Sequence, residues 1–326
     1  MVLNTRRDDS EFHAEYDPLH TVEAISDGIR SAGHDCLVIE GDEEAPEKLR
    51  AAHPDLVFNR AEGIRGESRE SHIPAILEML GIPYVGSGVL SLALCLNKRW
   101  TNLFLRQAGV RTPASDLVET EEDLPAIRPD FPVILKPNGE GSSIGINEDN
   151  VVRDLSALRA KARLMMQTYR GPILVEQFIP GREISVGVLG KDDGTLEILP
   201  FLEVDFSRLP REVGNVFGRR AKSTYDDLSH YLCPAPVKPP LAEALRDITL
   251  TVCRTLRIRD FGRVDFRIGD DGVPCFLEIN PLPGMDYDTG TKDFSFFIFM
   301  AMQAGLTYRQ IVDRLLRSAL ARTRRR

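Results

Sequence analysis

The chain has no apolar run approaching the roughly 18–20 residues that span a bilayer. Its first residues, MVLNTRRDDSEFHAEYD, lack the apolar centre of a secretory leader. Neither a membrane helix nor export is expected, and a cytoplasmic protein is. Cysteine is sparse: five residues (Cys36, Cys95, Cys233, Cys253, Cys275), scattered, with no CxxC pair. An odd, dispersed set of this kind excludes a disulfide framework and a zinc site, and predicts reduced, mostly buried thiols. Positive charge is in deficit, with a net charge of −8 and a pI of about 5.4. A nucleic-acid partner is therefore not suggested. The basic exception, Arg-Thr-Arg-Arg-Arg at 322–326, predicts a solvated, frayed end. No internal repeat and no low-complexity tract is present.

The chain has 326 residues, 42% hydrophobic and 28% charged, so it predicts a globular protein with cores in more than one domain. Its most informative stretch is GRVDFRIGDDGVPCFLEINPLPGM, 262–285. The apolar runs Val264–Ile268 and Val273–Ile279 flank a GDDG turn and read as a β-hairpin. Asp265 interrupts the first strand; Glu278 and Asn280 interrupt the second. Side chains two apart on a strand share a face, so Glu278 and Asn280 do, and Asp265 can sit opposite them. Such oxygen donors suit a hard divalent cation such as Mg²⁺, with nucleotide phosphates completing its shell. A sheet with one solvated face would show the same alternation. Against that stand Cys275-Phe276-Leu277 before Glu278 and Pro281-Leu282-Pro283-Gly284 after Asn280, since a carboxylate in apolar surroundings needs a partner.

Upstream, helix and strand signals alternate. Leu19–Ala32 has helical spacing and stops at Gly33; Cys36–Ile39 and Asp55–Asn59 read as strands; Ile73–Leu80 reads as a helix stopped by Gly81, before a strand from Ile82 to Val85. This predicts an open parallel sheet, whose ligand loops lie at the carboxyl ends of the strands. The loop after Asn59, RAEGIRGESRESH, occupies that place; it suits either a substrate loop or an ordinary solvated one. A helix over Ser91–Ala108 carries Lys98, Val110–Ser115 is a linker or edge segment, and a short helix is expected over Glu119–Ile127. In FPVILKPNGEGSSIGI, 131–146, a strand delivers Lys136 to the loop Asn138–Gly145. Its glycines let the backbone approach an anion and its amides can cradle phosphate oxygens, with Ser142 and Ser143 adding donors. The loop is not a GxxxxGK[ST] motif. Turns use the same residues, so the preceding lysine is the stronger signal.

A helix follows over Val151–Gln167. Ile173–Glu176 is then a strand, and Gln177–Ile179 a short apolar stretch before Glu183 on the next strand. This suits a hinge that receives a purine, with Glu176 accepting from the exocyclic amine and Glu183 holding ribose hydroxyls; solvated acids on an edge strand are the plainer alternative. Residues 191–204 read as a hairpin. Asp205–Tyr231 is long, polar and aperiodic, as a lid or a plain solvated loop would be, and Arg219-Arg220-Ala221-Lys222 favours a lid over phosphates. Helices over Leu241–Leu256, Phe294–Ala304 and Tyr308–Ala321 complete the reading. The aromatic run Phe294, Phe296, Phe297, Phe299 is expected to be core packing.

Taken in order, GIPYVGSG with Lys98 after it, PVILKPNGEGSSIGI, ILVEQFIPGREISV, Ala221-Lys222 and GRVDF…FLEINPLPGM resemble the ATP-grasp ligases, and among them the D-alanine–D-alanine ligase family. The likeness runs through nearly the whole chain after about Asn59. It implies an α/β ATP-grasp fold: an N-terminal open parallel α/β domain over 1–95, then two α+β ATP-grasp subdomains over 96–180 and 181–326. It implies ATP and two Mg²⁺ ions, with Mn²⁺ as a substitute. Lys98 and Lys136 resemble the family's phosphate-contacting lysines, and Gly141, Ser142 and Ser143 its mobile phosphate loop. Glu176 and Ile179 resemble its adenine hinge, Glu183 its ribose acid, and Lys222 its lid lysine on the γ-phosphate. Asp265, Glu278 and Asn280 resemble its metal ligands, and Arg263 and the Gly284 amide its oxyanion donors. The implied reaction passes a phosphoryl group to a first amino acid, D-alanine by analogy, and the amine of a second then displaces phosphate. The product would feed peptidoglycan precursors. A homodimer through the N-terminal domain and small amino-acid substrates are expected on the same ground.

The departures fall on the amino-acid side. The family's opening GGxSxE segment is replaced by VLNTRRDDSEFHAEYD, where Glu15 can supply the acid for the first ammonium, and Glu11 or Asp17 are alternatives. FNRAEGIRGE stands where the family has a loop histidine, leaving Glu62 or Arg65 another role. Ser223 follows the lid lysine in place of an aromatic, with Tyr225 nearby, and Thr289 corresponds to the serine facing the second carboxylate. A ligase with another amino-acid or hydroxy-acid acceptor in specialised metabolism is thus a second reading. A nucleotide-binding protein without ligation is a third, opposed by the full set Lys136, Arg263, Asp265, Glu278 and Asn280.

Overall fold

The computed structural model describes residues 1–8, 10–225, 227–290 and 293–323. The chain opens with β1 (Val2–Leu3), α1 (Leu19–Ser31), β2 (Ile39–Glu40), α2 (Ala45–Ala52), β3 (Val57–Arg60), α3 (His72–Leu80) and β4 (Tyr84–Val85). The strands form one parallel sheet in the order β2-β1-β3-β4. Helical crossovers join the strands, as parallel pairing demands. Strand β2 is later and shorter than the apolar pattern predicts: Cys36–Val38 lie outside it, with Leu37 and Val38 exposed and Cys36 half-buried, and Ile39 turns fully into the core.

Next come α4 (Val89–Leu96) and α5 (Lys98–Gln107). The continuous helix expected over 91–108 is broken at Asn97, which is extended and accepts from the Trp100 amide at 3.1 Å. An asparagine that caps a new helix offers its backbone an alternative to continuing the old one. The second sheet is antiparallel, in the order β5-β8-β6-β7, from β5 (Ser115–Val118), β6 (Val133–Pro137), β7 (Val151–Val152) and β8 (Ile173–Gln177). Helix α6 (Leu155–Tyr169) begins after Asp154, whose side chain caps the Ala157 amide, so Val151 and Val152 fall to the sheet instead of the predicted helix. The helix expected over 119–127 is only a 3₁₀ turn, closed by a Thr120–Asp123 capping box.

The third sheet holds β9 (Arg182–Gly190), β10 (Leu196–Ile198), β11 (Leu202–Val204), β12 (Tyr231–Leu232), β13 (Phe261–Ile268) and β14 (Pro274–Asn280). Its order is β12-β11-β9-β13-β14, with β10 also on β9. Between β11 and β12 the polar stretch folds into short 3₁₀ turns and α7 (Arg219–Tyr225), while α8 (Pro239–Thr255) precedes β13. A small hairpin, β15 (Tyr287–Asp288) and β16 (Asp293–Phe294), leads to α9 (Phe296–Gln303) and α10 (Tyr308–Thr323). Of the aromatic run, Phe297 is fully buried in the core, and Phe296 and Phe299 pack against the same core, Phe296 stacking on Phe217 at 6.3 Å.

The last helix returns to the first. Ile311, Val312, Leu315 and Ala319 of α10 join Val22, Ile25 and Ile29 of α1 in one apolar core. The expected frayed tail is therefore partly ordered: Arg322 and Thr323 belong to α10, and Arg322 donates to Asp260 at 2.6 Å; Arg324–Arg326 lie outside the described residues. Among the described residues no helix is long and apolar enough to cross a membrane.

Candidate active site

The two central strands carry the chemistry. Asp265 pairs directly with Glu278, and Arg263 with Asn280. Period-two alternation alone would put Phe276 on the same face as Glu278. The register slips between Asp265 and Phe266, so that Phe266 pairs with Phe276 and Leu277 is the extra residue. This β-bulge sends Phe276 into the core, edge-on to Phe266 at 6.5 Å, and keeps Glu278 on the cleft face.

Arg263 grips Asp265 with two parallel bonds, Nε to Oδ1 at 3.0 Å and Nη2 to Oδ2 at 2.9 Å. Ser185 Oγ donates to Asp265 at 2.6 Å and Asn280 Nδ2 at 3.3 Å. Lys98 Nζ lies 3.8 Å from Glu278. Burial pushes the Glu278 carboxyl up, but the cations Lys98, Arg263, Lys222 and Lys136 outweigh it and hold it below its ordinary range. Lys222, on α7, points inward: burial and then the charge of Arg263 lower its pKa, against the pull of Glu278, Glu183 and Asp265.

Lysine and acid meet likewise on the second sheet. Ile134 pairs with Glu176, so Lys136, two residues on, shares the Glu176 face, and its Nζ reaches Oε2 at 2.5 Å. Asn102 of α5 donates to the other oxygen at 3.3 Å. The break at Asn97 sets Lys98 beside the Gly/Ser loop, its amide donating to Asn138 O at 3.1 Å and its Nζ to Glu140 O. Ser142 and Ser143 both adopt left-handed backbone, φ 45° and 59°. Such conformations cost free energy outside glycine and mark a site held in shape by its surroundings. Among the described residues their amides have no protein acceptor, which leaves them for an anion.

Ile179, Glu183, Phe178, Lys136, Glu176 and Glu278 line a cleft of ≈ 70 Å³. Glu183 lies 3.4 Å from Arg267, and burial outweighs that arginine in raising its pKa. The segment between β11 and β12 lines the cleft with Val216 and Phe217 and holds the chain just beyond the Gly/Ser loop: the Arg219 amide donates to Ile146 O at 2.7 Å and the Arg220 amide to Asn147 Oδ1 at 2.9 Å. A larger cavity, ≈ 450 Å³, lies among Ile29, Leu37, Leu49 and Leu316 and includes none of these residues.

The candidate acids of the amino-acid side all meet protein partners. Glu15 is committed to Arg69 at 2.8 Å, Glu11 accepts from the Gly145 amide at 2.7 Å, and Asp17 pairs with Arg60 at 3.0 Å. Arg65 lies on the surface with Glu43, while Glu62 is buried 3.7 Å from Arg60. Ser223 is exposed, its hydroxyl donating to Arg220 O at 3.1 Å. Thr289 is exposed on the turn of the β15–β16 hairpin, and the hydroxyl that reaches the Gly284 loop is that of Ser295, donating to Gly284 O at 2.5 Å. The hairpin is an excursion that brings the chain back to Gly284, and counting along the sequence does not reveal that. Ser295 had one local signal, a serine just before an apolar helix. Arg60 was also missed: it holds Leu282 O and Pro283 O at 3.2 and 2.9 Å and so sets the loop that carries Gly284.

No cluster of three or more His, Cys, Asp or Glu suited to a metal occurs among the described residues. Asp265, Glu278 and Asn280 are a smaller set of hard oxygen donors. That set fits Mg²⁺, which takes one or two carboxylates and draws its other ligands from phosphate and water.

A sequence profile described as the D-ala D-ala ligase C-terminus matches residues 103–317. The chain belongs to the D-alanine–D-alanine ligase family. It is 31% identical over 297 residues to the D-alanine–D-alanine ligase of Aquifex aeolicus, covering 90% of this chain and 93% of that one. It is also 33% identical over 306 residues to an uncharacterised Sinorhizobium fredii protein, y4sG, covering 90% and 85%. A crystal structure of the Bacillus anthracis D-alanine–D-alanine ligase with ATP superposes with a TM-score of 0.75 at 23% identity, covering 99% of this chain and 97% of that one. The fold is thus that of these ATP-grasp ligases, and the family is one of ATP-dependent, ADP-forming ligases.

Proposed function

We propose that this family member joins two amino acids through an acyl phosphate, with D-alanine as donor and acceptor and the dipeptide supplying peptidoglycan precursors. One arrangement supports the catalytic reading above all: Asp265 and Glu278 opposed in register, with Lys98, Arg263 and Lys222 around them. In this reading Glu176 and Ile179 hold the adenine and Glu183 the ribose. Lys98, Lys136, Lys222 and the amides of Gly141, Ser142 and Ser143 hold the phosphates. The donor carboxylate attacks the γ-phosphorus and ADP leaves. The second amine then attacks the acyl carbonyl, Arg263 and the Gly284 amide hold the oxyanion, and phosphate departs. Asp265, Glu278 and Asn280 would hold two Mg²⁺ ions, or Mn²⁺, which when bound offset charge on the transferring group. The lid excludes water from the acyl phosphate. A homodimer through the N-terminal domain and residence in the cytoplasm complete the proposal.

A second reading, a different acceptor, is favoured by one observation: Ser223 is small and faces solvent, so it leaves the second-substrate side open. The test is phosphate release with ATP, Mg²⁺ and D-alanine, with mass spectrometry of the product. A dipeptide mass that disappears in Glu278→Gln is the expected outcome. Release only with another amino acid or a hydroxy acid would select the second reading, and no release across a broad panel would overturn both.

A further inference from the structure

We propose that Arg69 is a positioning residue that latches the Gly/Ser loop to the N-terminal domain and so shapes its phosphate-binding amides. This rests on the reading of residues 138–145 as the phosphate loop. Arg69 stands on a 3₁₀ turn just ahead of α3. Its Nη1 donates to Gly139 O at 2.9 Å, and its Nη2 to Glu140 Oε2 at 3.0 Å and to Glu15 Oε2 at 2.8 Å. One guanidinium thereby ties together the loop backbone, a loop carboxylate and the N-terminal segment. Its planar fork makes these bonds at once, which a lysine ammonium on a flexible stem does not.

The other end of the loop is clipped from the same side. Glu11 accepts from the Gly145 amide at 2.7 Å and from Tyr169 Oη at 3.3 Å. Between the clips the loop lies directly on Arg69's partner: a Cβ at Gly141 would stand 2.2 Å from Glu15 Oε1. Ser142 and Ser143 sit in this span. Left-handed backbone at two adjacent serines persists only where neighbouring contacts over-determine it, and the clips supply those contacts. The latch also neutralises Glu15, one of the three acids that the sequence offers for the first ammonium.

The latch is tested by nucleotide affinity, measured by calorimetry with a non-hydrolysable ATP analogue and Mg²⁺, beside steady-state kinetics. Arg69→Ala is expected to weaken the analogue at least about tenfold, the scale of losing charge-assisted bonds that hold a binding loop. The KM for ATP should rise more than that for the amino acid, and more ADP should form per dipeptide as water reaches the acyl phosphate. Arg69→Lys should recover only part of the affinity. Glu140→Gln should weaken the analogue less, and the Arg69→Ala/Glu140→Gln pair should be no worse than Arg69→Ala alone. If Arg69→Ala does not fold, Arg69→Lys and Glu140→Gln carry the comparison. Unchanged analogue affinity in the folded variants, or a rise confined to the amino-acid KM, would overturn the proposal. A wild-type protein that binds the analogue but ligates nothing would instead sink the ligase reading and leave the latch to be judged by affinity alone.

Discussion

Glu70 is buried beside Arg69, and its carboxyl is pushed up from 4.5 to about 8, first by burial and then by the charge of Glu15; Arg69, Lys98 and Arg60 offset this in part. Glu62 is displaced in the same direction, again first by burial and then by Glu15. A carboxyl with a raised folded pKa binds its proton more tightly when folded than unfolded. Its contribution to stability is complete below the unfolded pKa and is lost as pH rises through the folded one. Stability should therefore fall between pH 4.5 and about 8. Glu70→Gln removes part of that slope, so thermal melts should show the variant gaining on the wild type by a few degrees toward pH 8. A difference that is flat across this range would mean that the burial is relieved by a partner. Glu278, half-buried, carries the opposite shift because four cations surround it and outweigh its desolvation.

At the scale of the element, a single side chain decides where Lys98 stands. Asn97 ends α4 and caps α5. Without the cap the two helices would run on, and Lys98 would move away from Asn138 and Glu278. Asn97→Ala should cost about 1 kcal/mol, the usual worth of a cap, and raise the KM for ATP several-fold, whereas Asn97→Asp should retain the cap. Chemical denaturation and ATP kinetics on the same variants check both halves. An intact KM in Asn97→Ala would show that packing of Thr101 and Leu105, buried on α5, positions Lys98 by itself. The β-bulge at Leu277 works similarly, since it reverses the alternation that would bury Glu278 or expose Phe276.

At the scale of the whole molecule, the first and last helices are one structural unit. Gly28 of α1 lies so close to α10 that a Cβ there would stand 2.8 Å from the Val312 Cβ. Alanine is the better helix former by up to about 1 kcal/mol, but overpacking a dense core costs roughly 1–3 kcal/mol, and here the obstacle is the base of a β-branched side chain, which has little room to yield. Gly28→Ala should lower stability, and the Gly28→Ala/Val312→Ala pair should recover much of the loss; calorimetric melts of both variants decide it. A second tie fixes α10 to the turn after β4 and to the start of β13, because Asp260 accepts from the Gly86 amide at 2.7 Å, from Ser318 at 2.8 Å and from Arg322 at 2.6 Å.

Much of this was legible in the chain itself. Apolar periodicity marked the parallel sheet and most helices, and local motifs marked Lys136, the Gly/Ser loop and the Asp265–Glu278–Asn280 hairpin, because neighbours on one strand or turn are set by backbone geometry over a few residues. What tertiary structure alone decided involves residues far apart in sequence. Arg69 meets Glu140, Arg60 meets Pro283, and Ser295 meets Gly284 across an intervening hairpin. The same holds for Glu15, whose charge is used by Arg69. A carboxylate's sequence context gives its chemistry, whereas its partner, and with it its role, follows from which distant cation the packing brings within reach.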